Sequence, residues 1–202
     1  MSASRSILFI GDSVTDCGRR DDPDGLGDGY VRLIAHNPAL TGMRVTNRGI
    51  SGNRVVDLEG RWQHDVLDAA PDVLTILIGI NDTWRRYDSA NPTSARDFEA
   101  GYRRLLDSAA TDGRTLVLME PFVLPVTEQQ RAWHPEDLDE KIAVVHGLAR
   151  DFDAILVPLD AALTTLADEL TPEALADDGV HPTPLGHDAI AALWLQYAGA
   201  AL

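Results

Sequence analysis

Cysteine and lysine occur once each, as Cys17 and Lys141. A lone thiol excludes an internal disulfide and any zinc site built on several cysteines. Basic side chains are scarce, 17 against 32 acidic ones, for a net charge of −15. A surface that acidic repels phosphate backbones and anionic lipid, so neither nucleic acid nor a membrane surface is an expected partner. No apolar run approaches the roughly 18 residues of a transmembrane helix. The N-terminus lacks the apolar core and small-residue cleavage site of a secretory leader, so cytoplasmic residence is expected. What is present is ordinary for a folded chain: 45% hydrophobic and 24% charged residues, which excludes disorder. The 202 residues suit one domain, 1–202, without repeats or linkers.

Short apolar runs alternate with longer helical patterns. Strands are expected at Ser6–Ile10, Arg44–Asn47, Val73–Ile78, Thr115–Met119 and Ala154–Val157. They are rich in Ile, Val and Leu without strict alternation, as strands covered on both faces are. Helices are expected near Tyr30–His36, Val55–Ala70, Ser94–Thr111, Glu136–Phe152 and Pro184–Ala198. In the last, Ile190, Leu193, Trp194 and Tyr197 form one apolar stripe, while Thr183 and Pro184 suit its cap and first turn. Repeated strand–helix alternation argues a parallel sheet with helices on both faces. Right-handed crossovers make this a three-layer α/β/α sandwich with five strands in the order 2-1-3-4-5. Cys17–Gly29, Thr83–Thr93 and Glu120–His134 fit no regular element and are expected to be surface loops.

In open parallel sheets, ligands bind beyond the carboxyl ends of the strands. After the first strand comes Ser13, after the second Gly52, after the third Asn81, and in the last loop Asp178 and His181. A serine hydroxyl needs a base to become nucleophilic. His181 would serve as that base and Asp178 would fix its tautomer. The Ser13 and Gly52 amides with the Asn81 side chain would hold an oxyanion. Each residue also has a plain structural reading. Ser13 is a fit helix cap, Asp-Gly-Val-His a turn, Gly52 a turn glycine and Asn81 a loop or cap residue. Asp177 competes for the carboxylate role, and His187 reads as a helix-start residue bonded to its own loop.

Ile10-Gly11-Asp12-Ser13-Val14-Thr15-Asp16 resembles the first sequence block of the SGNH hydrolases, or GDSL esterases. Asn47–Asn53, Ile78–Asp82 and Asp178-Gly179-Val180-His181-Pro182 are similar to the other three blocks, in order. The resemblance implies the SGNH hydrolase fold and an acyl-enzyme mechanism that requires no metal or organic cofactor. Its catalytic residues would be Ser13, Asp178 and His181, with Ser13, Gly52 and Asn81 as the oxyanion hole. Thr15–Arg19, Arg61-Trp62 and Asn81–Tyr87 look most like the carbohydrate acetyl-esterase branch, which includes acetylxylan esterases. That branch implies a small ester substrate, an acetylated oligosaccharide. Asp177 is a departure, because some such esterases carry a bulky aromatic before the catalytic carboxylate.

Trp84 and Tyr87, with Trp62 and Trp133, are candidates for a platform under a sugar ring. Asp16, Arg54 and Arg85 are further candidates for substrate contacts. The tryptophans fit core packing or a homo-oligomer interface as well. Rival readings are a lysophospholipase or thioesterase of the same family and an inactive binding module. A phospho-switch receiver, with Asp82 as its acid, would need a lysine after the fifth strand, and Lys141 precedes it.

Overall fold

The computed structural model describes residues 5–110 and 113–201. Five parallel strands form one sheet in the order β2-β1-β3-β4-β5. They are β1 (Ser6–Gly11), β2 (Arg44–Gly49), β3 (Val73–Leu77), β4 (Thr115–Met119) and β5 (Ile155–Val157). Ile7 of β1 pairs with Val45 on one side and Val73 on the other. The helices are α1 (Ser13–Asp16), α2 (Tyr30–Ala35), α3 (Val55–Trp62), α4 (Ile80–Asp88) and α5 (Ala95–Ala109). They continue as α6 (Glu128–Arg131), α7 (Asp139–Asp151), α8 (Leu159–Glu169), α9 (Pro172–Leu175) and α10 (Pro184–Ala198). The order and the three layers are those expected from the sequence.

Period-two geometry gives the central strands β1, β3 and β4 two buried faces, while the edge strand β2 carries Arg44, Thr46 and Arg48 on one face. Ile7 and Phe9 cluster with Tyr30 and Ile34 of α2, Leu163 of α8 and Trp194 of α10. Leu8 and Ile10 cluster on the opposite face with Leu58 of α3, Phe98 and Tyr102 of α5 and Val145 of α7. Each such large side chain, fully buried, stabilises the fold by about 1.5–3 kcal/mol. The Trp194 indole keeps its one polar group satisfied by donating to Thr75 Oγ1 at 3.1 Å.

The structure corrects several expectations. Thr83–Thr93 is not wholly loop, because α4 runs to Asp88. Ile80, Trp84 and Tyr87 lie one and two turns apart and pack against Val123, Trp133, Leu138 and Val180. Glu120–His134 contains α6, whose Thr127 and Gln130 form a reciprocal capping box. The long expected helix over Val55–Ala70 ends at Trp62 and continues as a π-helical turn, Gln63–Leu67. A similar turn, His134–Leu138, precedes α7. Thr111, at the expected end of the α5 helix, lies outside the described residues. Lys141 is fully buried on α7 and paired with Asp137, far in sequence from the end of β5. Among the described residues no helix is long and apolar enough to cross a membrane.

Candidate active site

β1 and β3 are neighbours although β2 intervenes in sequence, so the strand order reverses at β1. Such a switch point opens a crevice at the carboxyl end of the sheet. Ser13 stands there as the first residue of α1, preceded by the cap Asp12, whose carboxylate accepts the Val14 N–H at 3.1 Å.

His181 arrives from the loop between α9 and α10. A two-residue bridge, Ala176 to Pro182, pinches this loop and brackets Asp178 and His181. Asp178 Oδ1 accepts the backbone N–H groups of Val180 and His181 at 2.9 and 2.7 Å. Its Oδ2 takes His181 Nδ1–H at 2.7 Å. The proton therefore sits on Nδ1, and the lone pair of Nε2 faces Ser13 Oγ at 3.0 Å. Partial burial alone would raise the Asp178 carboxyl. The hydrogen bonds from His181 and Val180 outweigh it and hold the group below its ordinary value. Asp177 is exposed and makes no such bond. Gln130, which the sequence reading missed, donates to the Asp178 carbonyl at 2.6 Å and so ties the loop to α6.

Ile50–Asn53 is a tight turn closed by Asn53 N–H on Ile50 O at 3.2 Å. Gly52 occupies its third position with φ 83°, a conformation that favours glycine. Asn81, in the first turn of α4 and buried, donates one Nδ2–H to Asn53 O at 3.1 Å. Its second Nδ2–H stays available. Ser13, Gly52, Asn81 and His181 line one cleft of about 390 Å³ together with Trp84 and Arg85. A serine hydroxyl, an oriented imidazole and N–H groups thus share one cavity.

Residues 9–189 match the model of the GDSL-like lipase/acylhydrolase family. This chain belongs to that family. It is 38% identical to an acetylxylan esterase of Geobacillus stearothermophilus, over 98% of this chain and 96% of that one. An arginine-to-alanine variant of the Geobacillus acetyl-xylooligosaccharide esterase superposes with a TM-score of 0.88 at 35% identity, covering 98% and 96% of the two chains. A GDSL-like protein from Parabacteroides merdae superposes at 0.89 with 32% identity, covering 98% and 97%. Catalytic mutants of the Geobacillus enzyme replace a serine, an aspartate and a histidine, the last two three positions apart. A tryptophan directly precedes that aspartate, where this family member has Asp177 before Asp178.

The outer residues of the site divide. Trp84 reaches the cleft and tilts against His181, ring centroids 5.9 Å apart. Behind it lies Trp133 at 5.6 Å, and Tyr87 stacks on Trp133 at 5.2 Å. Trp133 is buried, so it backs Trp84 rather than offering a face to a ligand. Tyr87 does not line the cleft and donates its hydroxyl to Glu136. Trp62 is corrected outright: it is buried under α3 in the core with Leu58 and Tyr102, where its apolar stripe places it. Asp16 is buried, and its Oδ2 accepts both the N–H and hydroxyl of Ser51 at 3.0 Å, so it ties the Gly52 turn instead of facing the cleft. Arg54 leans on Asp57 at 3.8 Å and does not line the cleft either. His187, a cleft residue, accepts the Tyr30 N–H at Nδ1, 3.2 Å, and faces Cys17 Sγ with Nε2 at 3.4 Å. Burial lowers it to about 4, so it is neutral and, with Nδ1 accepting, carries its proton on Nε2. It is no base for a nucleophile there.

Two buried carboxyls, Asp12 and Asp82, adjoin Ser13 and Asn81 in the chain. Burial pushes Asp12 up to about 7 and Asp82 up to about 6. The folded chain therefore holds the Asp12 proton more tightly than the unfolded chain does. The resulting stabilisation is complete below pH 3.8 and disappears as pH rises through about 7. Asn caps helices as well as Asp does, so Asp12→Asn removes the titration and keeps the cap. Relative to the parent, this variant is expected to gain stability from pH 4 to 8, by about 4 kcal/mol at most. Melting temperatures of both proteins across that range check this. A constant difference contradicts it.

Proposed function

We propose that the protein is a serine esterase that removes short acyl groups, chiefly acetyl, from carbohydrate hydroxyls. The observation that carries this reading is the 3.0 Å contact of Ser13 Oγ with the unprotonated face of an oriented His181. Ser13 Oγ attacks the acyl carbonyl as its proton passes to His181 Nε2. The carbonyl oxygen becomes an oxyanion received by the Ser13 and Gly52 amides and by Asn81 Nδ2–H. Collapse breaks the ester C–O bond, and His181 returns the proton to the leaving sugar hydroxyl. Water, deprotonated by the same nitrogen, then attacks the acyl-serine, the acyl–Oγ bond breaks to release the acid, and His181 returns the proton to Ser13 Oγ. Asp178 stays ionised throughout and stabilises the imidazolium.

The Geobacillus relatives support acetylated xylan fragments as the substrate class. The Trp84 ring and the Arg85 guanidinium border the cleft, and they offer a stacking face and hydroxyl donors to a sugar. A cleft of about 390 Å³ is near the small end for ligand sites. The test is a panel of acetylated xylooligosaccharides and p-nitrophenyl esters of rising acyl length. Acetyl esters are expected to turn over faster than octanoyl esters by about tenfold or more. Preference for long chains would transfer the protein to the lysophospholipase reading. No turnover, together with no labelling of Ser13 by an organophosphonate, would leave a binding module.

A further inference from the structure

Arg61 lies outside the cleft lining, yet its guanidinium connects three backbone segments that build the site. It sits in the last turn of α3 and its side chain is only 15% exposed. Nη2 donates to Gly11 O, two residues before Ser13, at 3.1 Å. Nη1 donates to Arg48 O at the end of β2, at 2.7 Å. Nε donates to the Asn53 side-chain oxygen, directly after Gly52, at 2.8 Å. Asp65 Oδ2 accepts from Nη1 at 2.6 Å and balances the charge. The Asn53 carbonyl in turn accepts the bond that orients Asn81.

We infer that Arg61 is a positioning residue that sets the distance between the nucleophile and the oxyanion donors. The inference rests on the esterase reading above. The Gly52 turn is also held at its start, where Ile50 N–H donates to Gly11 O at 3.0 Å, and at Ser51, which donates to Asp16. Gly52 itself is exposed and has no side chain to pack. Asn53 thus supplies, through Arg61, a second link from the β1 end to the far side of the turn, next to Gly52. Donors must point at the oxyanion rather than at the ground-state carbonyl, so a loosened turn affects the transition state most. The rigid, planar fork is what allows one side chain to serve Gly11, Arg48 and Asn53 together. A lysine ammonium can keep the ion pair with Asp65 but cannot span all three acceptors.

The test is Arg61→Lys, assayed with an acetyl ester that Ser13→Ala does not turn over. The expected result is a melting temperature close to the parent and an unchanged KM. The expected kcat is lower by about 10- to 100-fold, short of the roughly 10²–10³ expected for Asn81→Ala. Inhibition by a boronic acid or trifluoromethyl ketone, which forms a tetrahedral oxyanion on Ser13, should weaken by the same factor. Merely local loosening of α3 would lower stability and leave the inhibitor-to-substrate affinity ratio alone. Should Arg61→Lys fail to fold, Asn53→Ala reads the same link, because it keeps the Asp65 pair and the Asn53 carbonyl. It should lower kcat about 5- to 10-fold, and added to Arg61→Lys in a folded double variant it should cost little more. A kcat within about twofold of the parent, a loss confined to KM, or unaltered inhibitor affinity overturns the inference. Activity that survives Ser13→Ala overturns the esterase reading instead, so the two failures are separable.

Discussion

Replacing Ser13 or His181 with alanine is expected to lower turnover on the order of 10⁶-fold, and replacing both is expected to cost little more. The scale is that of serine proteases whose nucleophile and base work as a unit. The geometry requires the same unity here. Among the described residues, one imidazole, that of His181, reaches Ser13 Oγ, at 3.0 Å. Without His181 the hydroxyl keeps its proton, and without Ser13 the imidazole has no nucleophile to serve. Each variant thus loses the entire acyl-enzyme route. The oxyanion donors remain in both, so slow direct hydrolysis by water survives at about 10³–10⁴ above the uncatalysed rate. Single-turnover kinetics on the three variants decide this. Losses that multiply in the double variant would mean that the two residues act in separate steps.

Asp178→Asn is expected to cost about 10⁴ in kcat while leaving the backbone in place. Two N–H groups fix the orientation of the new amide. Val180 and His181 both donate to the inner oxygen, so an asparagine must keep its carbonyl there. Its NH₂ group then faces His181 Nδ1, where the carboxylate now accepts at 2.7 Å. An NH₂ donor forces Nδ1 to accept, so the ring proton moves to Nε2. That nitrogen then donates toward Ser13 and cannot take its proton. KM should hardly change, because Asp178 touches no substrate in this scheme. Asp177→Asn, next door but without a bond to His181, is the control and should stay within about twofold. If Asp177→Asn were the crippling change, the carboxylate assignment would be reversed.

Most of the sheet was legible because strands buried on both faces leave uninterrupted runs of Ile, Val and Leu. The rim residues followed from the rule that ligands lie beyond carboxyl ends. α4 was not legible as read, since polar residues surround its stripe. Ile80, Trp84 and Tyr87 carry the helical spacing, and counting them would have found it. The same counting, Val55–Leu58–Trp62, places Trp62 in the core and removes it from any sugar platform. Asp16, the last residue of the serine block, is a candidate substrate contact by sequence. Its true partner, Ser51, lies 35 residues away, and no local pattern announces such a bond. The contacts of Arg61 were hidden for the same reason, as they span 8, 13 and 50 residues.

Ser13 and His181 are separated by 168 residues of chain. Translation is vectorial, so the serine leaves the ribosome with β1 well before the imidazole that lies between α9 and α10. On the esterase reading, a nascent polypeptide carries an unarmed hydroxyl until that later loop has been made and docked. Hydrolytic competence would then report that the intervening segments have folded.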